Sequence, residues 1–262
     1  MSDRRLLLCG FFLVLAGATG FSQESHAPSA GRSLRIAAAA DLQPVLPPLL
    51  SDFEKQTGIH SDASWQSSAT LATQIINGAP FDIFLAADLS FPQRVIDAGR
   101  GESAKPIPYA RGTLVLWTRN DSGIVDLSLD GLRSSTVKTI AIANPQHAPY
   151  GRAAQAVLRH LNLASALQSR LVVAENIAQA AQYADSGNAQ VGFISLTSAL
   201  TPRLSRDGHF IRVPFEDYPP ILQGAVLVRG SANADAARRF LQFLQTPEIK
   251  QKLAHAGLEP IP

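Results

Sequence analysis

"SWQSSATLATQIINGAPFDIFLAAD", residues 64–88, sets the fold class. Trp65 lies at the end of an extended run that starts at Gly58. Apolar residues then recur at helical spacing from Ala69 to Asn77, and Gly78 supplies a C-terminal stop. Residues 81–87, "FDIFLAA", are a short apolar run with the pattern of a buried strand. Strand, helix, strand is the α/β signature. Ser67 and Ser68 stand at the junction between the first strand and the helix. Residues 63–80 hold no histidine, acid or base that would activate either hydroxyl. The serines therefore either cap the helix or hold something that wants hydrogen-bond donors and no chemistry.

The same alternation extends both ways from this stretch. A first strand is expected over 33–40 and a first helix over 45–56, ending near Gly58. Further strands are expected over 113–118, 139–144, 170–175, 189–195 and 224–229, with helices over 151–161 and 177–186 and two closing helices within 233–256. The order of elements resembles two similar α/β halves between which the chain crosses twice. One crossing falls near "YARGTLVLW" (109–117) and the return near "PPILQGAVLV" (219–228). Residues 33–112 with 222–262 would form one lobe and 113–221 the other, each a mostly parallel sheet flanked by helices.

Composition bounds the function. A formal charge of +2 over 262 residues, with no basic run, does not fit nucleic acid or an anionic membrane surface. Arg4 and Arg5 precede the apolar run 6–18, and small or polar residues follow. That run is too short to span a bilayer easily and suits a secretory signal, expected to be cleaved within residues 1–26. The only cysteine, Cys9, lies inside it, so the mature chain would have no disulfide and no thiol chemistry. A periplasmic address follows, with residues 19–33 as a polar tether.

Catalysis has no foothold. The six histidines form neither HExxH nor a pair at ligand spacing on one helix. No G-x-S-x-G elbow and no phosphate-binding glycine motif occurs. No enzyme activity and no cofactor are expected. What remains is a set of four strand-to-helix junctions: "AAAADLQP" (37–44), "WQSSATL" (65–71), "ANPQHAPYGRAA" (143–154) and "AENIAQAA" (174–181). Each presents free backbone N–H groups and the positive end of a helix dipole, a ready anion site without formal charge. In open α/β sheets such junctions lie at the carboxyl ends of the strands, where ligands bind.

"IAAAADL", "SWQSSATLATQIINGAPFDIFLAAD", "NPQHAPYGRAA", "VVAENIAQAAQYADSGNAQVGFIS" and "FLQFLQTPEIKQKLAHAGL" together resemble the periplasmic molybdate-binding proteins of ABC importers, from about Leu34 to Leu258. The resemblance implies a two-lobe type II periplasmic binding protein fold with the ligand cleft between the lobes. It implies a monomer that captures a tetrahedral oxyanion, molybdate or tungstate, and delivers it to a membrane permease. Ser68 matches the serine that binds the oxyanion, while Ala39, Tyr150 and Ile177 match backbone N–H donors. Molybdenum would be held only as its oxyanion, through Ser68 and the backbone of Asp41, Tyr150 and Ile177. Two positions depart from the pattern. Asp41 aligns with the first-junction serine, unless Ala40 takes that place, and its carboxylate is expected to cap its own helix and point away from an anion. Ser195 stands where some members present a tyrosine hydroxyl. Pro44 fits a first turn, but Pro47 and Pro48 would kink a helix starting at Leu42. The alternatives are a same-fold binder of another oxyanion or a small carboxylate, an envelope hydrolase, and a transcriptional effector domain.

Overall fold

The computed structural model of the chain describes residues 33–261. The expected signal segment, Cys9 and all but the last residue of the tether lie outside the described residues. The chain begins with β1 (Leu34–Ala39), α1 (Leu46–Thr57), β2 (Ser61–Gln66), α2 (Ser68–Ile76), β3 (Ile83–Ala86), α3 (Ser90–Asp97) and β4 (Ile107–Gly112). It continues through β5 (Leu114–Arg119), β6 (Ile140–Ala143), α4 (Pro149–His160), α5 (Ala164–Leu167), β7 (Leu171–Ala174), α6 (Ile177–Asp185) and β8 (Val191–Ser195). Then come α7 (Leu196–Ala199), α8 (Pro202–Asp207), β9 (Gly208–Arg212), β10 (Ile221–Leu227), α9 (Ala234–Leu244), α10 (Pro247–His255) and β11 (Leu258–Glu259).

Two sheets result. The first has the order β11-β4-β10-β3-β1-β2 and the second β7-β6-β8-β5-β9. The chain passes from the first to the second between Gly112 and Leu114 and returns between Arg212 and Ile221. Both sheets are mixed rather than mostly parallel. Only β2-β1-β3 and β7-β6-β8 run parallel, and β10, β4, β11, β5 and β9 add antiparallel pairings. Of the strands that carry the chain between the sheets, β5 and β10 run against the parallel core, which the alternation of strand and helix does not reveal.

Both faces of the inner parallel strands are covered, so β3 ("IFLA") and β6 ("IAIA") are apolar at every position. In the first sheet Leu34, Ile36, Ile83 and Leu85 pack with α1, α9 and α10, where Phe53 meets the Phe240 ring edge-on at 5.1 Å. The alternate residues Ala37, Phe84 and Ala86 pack with α2 and α3. In the second sheet Leu116, Ile140, Ile142 and Phe193 face α4, whereas Val115, Trp117 and Ile194 face α6, α7 and α8. Trp117 is fully buried, and its indole N–H donates to Leu204 O at 3.2 Å.

The prolines after the first strand kink nothing. Residues 40–42 form a single 3-10 turn and α1 starts afresh at Leu46, so Pro47 and Pro48 fall in its first turn. There the backbone N–H groups would have no helical acceptor, and the missing ones cost little. α3 and β4 have no counterpart in the sequence reading. Asp88 supports the start of α3 by accepting the Phe91 N–H at 3.0 Å.

Candidate functional site

The four junctions converge. One small cavity is lined by Ala39, Ala40 and Asp41 after β1, and by Gln66, Ser67 and Ser68 at the β2–α2 junction. Ala148, Pro149 and Tyr150 line it from the start of α4, Asn176 and Ile177 from α6, and Ala87 from the end of β3. Its volume is about 10 Å³, near what a single water needs. The N–H groups of Ser68, Tyr150 and Ile177 belong to first helical turns, where the helix itself offers no acceptor. Among the described residues, no Lys, Arg or His lines the cavity. Its polarity is that of neutral donors at three helix N-termini.

The paired serines divide the work. Ser67 caps α2, accepting the Thr70 N–H at 3.3 Å and meeting the Thr70 hydroxyl at 2.7 Å. Ser68 does not cap the helix. Its Oγ accepts the Ala87 N–H at 3.1 Å, which leaves the hydroxyl hydrogen free to be donated. Asn176 does for α6 what Ser67 does for α2, accepting the Gln179 N–H at 3.0 Å.

Asp41 departs from its expected role. The 3-10 turn Ala40–Leu42 has no side-chain cap, and the Asp41 carboxylate does not point away. It is fully buried, and Oδ2 accepts hydrogen bonds from the Tyr150 hydroxyl at 3.1 Å and from Gln223 Nε2. The Tyr109 hydroxyl donates to Gln223 Oε1 at 2.7 Å, which fixes the amide with its nitrogen toward Asp41. Oδ1 is buried with no hydrogen-bond partner among the described residues. Burial pushes the Asp41 carboxyl up to about 6, against hydrogen bonds from Gln223, Tyr150 and its own backbone N–H that pull it down. Burial likewise drives the Tyr109 and Tyr150 hydroxyls well above their ordinary value, so both remain neutral donors.

Tyr150 thus contributes more than a backbone N–H. Its ring reaches from α4 to the end of β1, and Gly112 makes room for it, because a Cβ there would lie 2.3 Å from the Tyr150 hydroxyl oxygen. Ser195 is not brought to the cavity. It caps α7, accepting the Ser198 N–H at 3.3 Å, and its hydroxyl lies 2.8 Å from that of Thr197. Thr197 touches the site indirectly, its Oγ1 donating to Asp41 O at 2.7 Å. The structure therefore unites Ala39, Ala40, Asp41, Ser68, Tyr150 and Ile177 and leaves Ser195 aside. Sequence reasoning missed Gln223, Tyr109 and Thr197. A glutamine inside the apolar run "ILQGAVL" was the one readable signal, since a polar side chain in a buried strand needs a partner.

Contacts also cross the cavity between elements of the two sheets. The Ala69 N–H donates to His147 O at 3.1 Å, and the Thr70 hydroxyl reaches Glu175 at 3.4 Å. Glu175 also meets His147 Nδ1 at 2.9 Å. Arg152 pairs with Asp88 and lies 5.1 Å from the centre of the Phe91 ring. These groups are partly exposed, so the ion pairs themselves add little stability.

A family model described as bacterial extracellular solute-binding protein matches residues 34–259. The chain is 35% identical over 224 residues to the molybdate-binding protein ModA of Azotobacter vinelandii, covering 86% of this chain and 88% of that one. It is 34% identical to ModA of Rhodobacter capsulatus, over 88% of this chain and 89% of the relative. Among solved structures, the periplasmic molybdate-binding protein of Azotobacter vinelandii superposes with a TM-score of 0.82 at 33% identity. That superposition covers 88% of this chain and all of the other. The substrate-binding domain of a putative molybdenum ABC transporter from Clostridium difficile gives 0.68 at 25% identity, over 88% of this chain and 99% of that one.

Proposed function

We propose that this chain, which belongs to the bacterial extracellular solute-binding proteins and has their type II two-lobe fold, captures molybdate or tungstate for an ABC importer. The relatives bear the name of molybdate-binding proteins, and the chain is a binding protein rather than an enzyme. One observation carries the ligand assignment: three helix N-termini and the free Ser68 hydroxyl hydrogen converge on one cavity with no cationic side chain. Such a site suits an anion with several acceptor oxygens and resists substrates that need acid–base chemistry. Because the cavity is so small, its walls must part to admit a ligand, and the two strand crossings between the sheets are where the lobes would hinge. The anion is the transported cargo, and no resident cofactor is involved. The mature protein works in the periplasm as a monomer and docks on a membrane permease, its N-terminal segment removed on export.

A second reading has its own observation. An ionised Asp41 opposes a dianion by about 4 kcal/mol per pair of unit charges at 4 Å and moderate dielectric, so a ligand of lower charge suits this cavity better than it suits one lined by hydroxyls. Thermal unfolding against molybdate, tungstate, sulfate, phosphate, thiosulfate and acetate separates the readings. Molybdate and tungstate at about 1,000 times their dissociation constants should add about 4 kcal/mol, with sulfate far weaker because a smaller anion does not reach all the fixed donors at once. Sulfate matching molybdate, or only acetate acting, would overturn the assignment. In the same assay Ser68→Ala should weaken molybdate roughly 10- to 150-fold, the loss of one hydrogen bond to a charged group. The variant also strands the Ala87 N–H, so affinity is to be measured well below its melting point.

A further inference from the structure

A buried carboxyl group lining a proposed anion site is a contradiction unless its charge is removed. Asp41 Oδ2 is saturated by two donors, the Tyr150 hydroxyl and the Gln223 amide, while Oδ1 is buried and unpartnered. The polar groups facing Asp41 are Tyr109 from β4, Gln223 from β10, Tyr150 from α4 and Thr197 from α7, with Tyr218 beside Tyr150, while β2 and α6 bring the uncharged Gln66 and Ile177 to the same cavity. None is a cation. Elsewhere between the two sheets, Glu175 meets His147 and Asp88 pairs with Arg152. The two donors on Oδ2 ease a negative charge on Asp41 without neutralising it, and a bound dianion would add two more. A proton on Oδ1 removes the conflict and turns the orphaned oxygen into one more donor in a cavity of donors.

Resting on the oxyanion reading of this site, we infer that Asp41 is a specificity-determining residue that binds ligand in its protonated form, donating Oδ1–H to the oxyanion, so that each dianion is taken up with one proton from solvent. The protein then distinguishes ligands by charge as well as by size. Tyr150 and Gln223 are the positioning residues, since their two hydrogen bonds on Oδ2 direct the proton to the other oxygen. Because the free carboxyl is already set to titrate near 6, the proton is largely in place in mildly acid solution and must be taken up at higher pH.

Calorimetric titration with sodium molybdate, at about pH 6, 7, 8 and 9 and in buffers of differing ionisation enthalpy, reads this directly. The wild-type protein should take up close to one proton per molybdate at about pH 8. Its dissociation constant should rise about tenfold per pH unit between the free and bound titrations. Asp41→Asn, whose amide places a permanent donor where Oδ1–H would be, should show no proton uptake and an affinity that no longer changes with pH. Wild-type binding without proton uptake at pH 8, or equal uptake in Asp41→Asn, overturns the inference while leaving the oxyanion site intact. No molybdate binding at any pH defeats the functional reading itself, and the inference with it. The wild-type proton count decides the matter even if the variant fails to fold.

Discussion

Gly151→Ala is expected to destabilise the protein by about 3 kcal/mol, at the upper end of what overpacking a core costs. A Cβ at Gly151 would lie 2.2 Å from the carbonyl oxygen of Ala143 and 2.8 Å from the carbonyl carbons of Ala143 and Asn144. These atoms are backbone at the end of β6, not the tip of a side chain that swings away. The first turn of α4 would have to retreat from its strand, taking the Tyr150 N–H and the Tyr150–Asp41 hydrogen bond with it. Oxyanion affinity should fall at least tenfold, as for any site whose fixed donors are displaced. Urea unfolding and calorimetry check both parts. A loss below about 0.5 kcal/mol would mean that the close helix–strand approach is not what positions the site.

In the absence of ligand, stability should depend on Asp41 in a direction opposite to that of most carboxylates. Its folded value, about 6, lies above the ordinary 3.8. Its contribution is therefore fully present below about pH 4 and is lost as pH rises through about 6, because the folded protein must then bury a charge. The difference corresponds to about 3 kcal/mol at pH 8. Asp41→Asn removes that charge and keeps a group able to hydrogen-bond Tyr150 and Gln223. The ligand-free variant should gain about 3 kcal/mol over wild type at pH 8 and little at pH 4. Denaturant unfolding at the two pH values measures it. An equal difference between the proteins at both pH values would show that the carboxyl does not change charge on this scale.

The parts of this fold legible in the sequence are those where local pattern and tertiary role coincide. The stretch 64–88 forms β2, α2 and β3 in the order its periodicity implies, because β3 is buried on both faces and α2 on one. The junctions after β1, β2, β6 and β7 were readable for the same reason, and they meet in one cavity. Legibility failed where a residue's partner lies far along the chain. Asp41 looks like a helix cap from its neighbours, yet its carboxylate is claimed by Gln223, 182 residues away, and by Tyr150, 109 away. Ser68 looked like a possible cap, but Ser67 fills that role, one residue earlier. Ser195 aligns with a ligand position but is spent on capping α7. The antiparallel strands β4 and β9 left too weak a pattern beside the apolar runs they pair with. Pro47 and Pro48 misled because the break after Leu42 moves the start of α1 to Leu46.

The central claim is that an oxyanion is held in this cavity by neutral donors from both sheets. Anomalous X-ray scattering at the molybdenum edge, from crystals of the protein grown with molybdate, tests it most directly. A single molybdenum peak is expected among Ser68, Tyr150, Ile177 and Asp41, with oxygens within hydrogen-bond distance, about 2.7–3.2 Å, of the Ser68 hydroxyl and the Tyr150 and Ile177 N–H groups. A peak instead in the larger groove of about 600 Å³ lined by Arg152 and Arg159, or no ordered molybdenum at saturating concentration, would contradict the account.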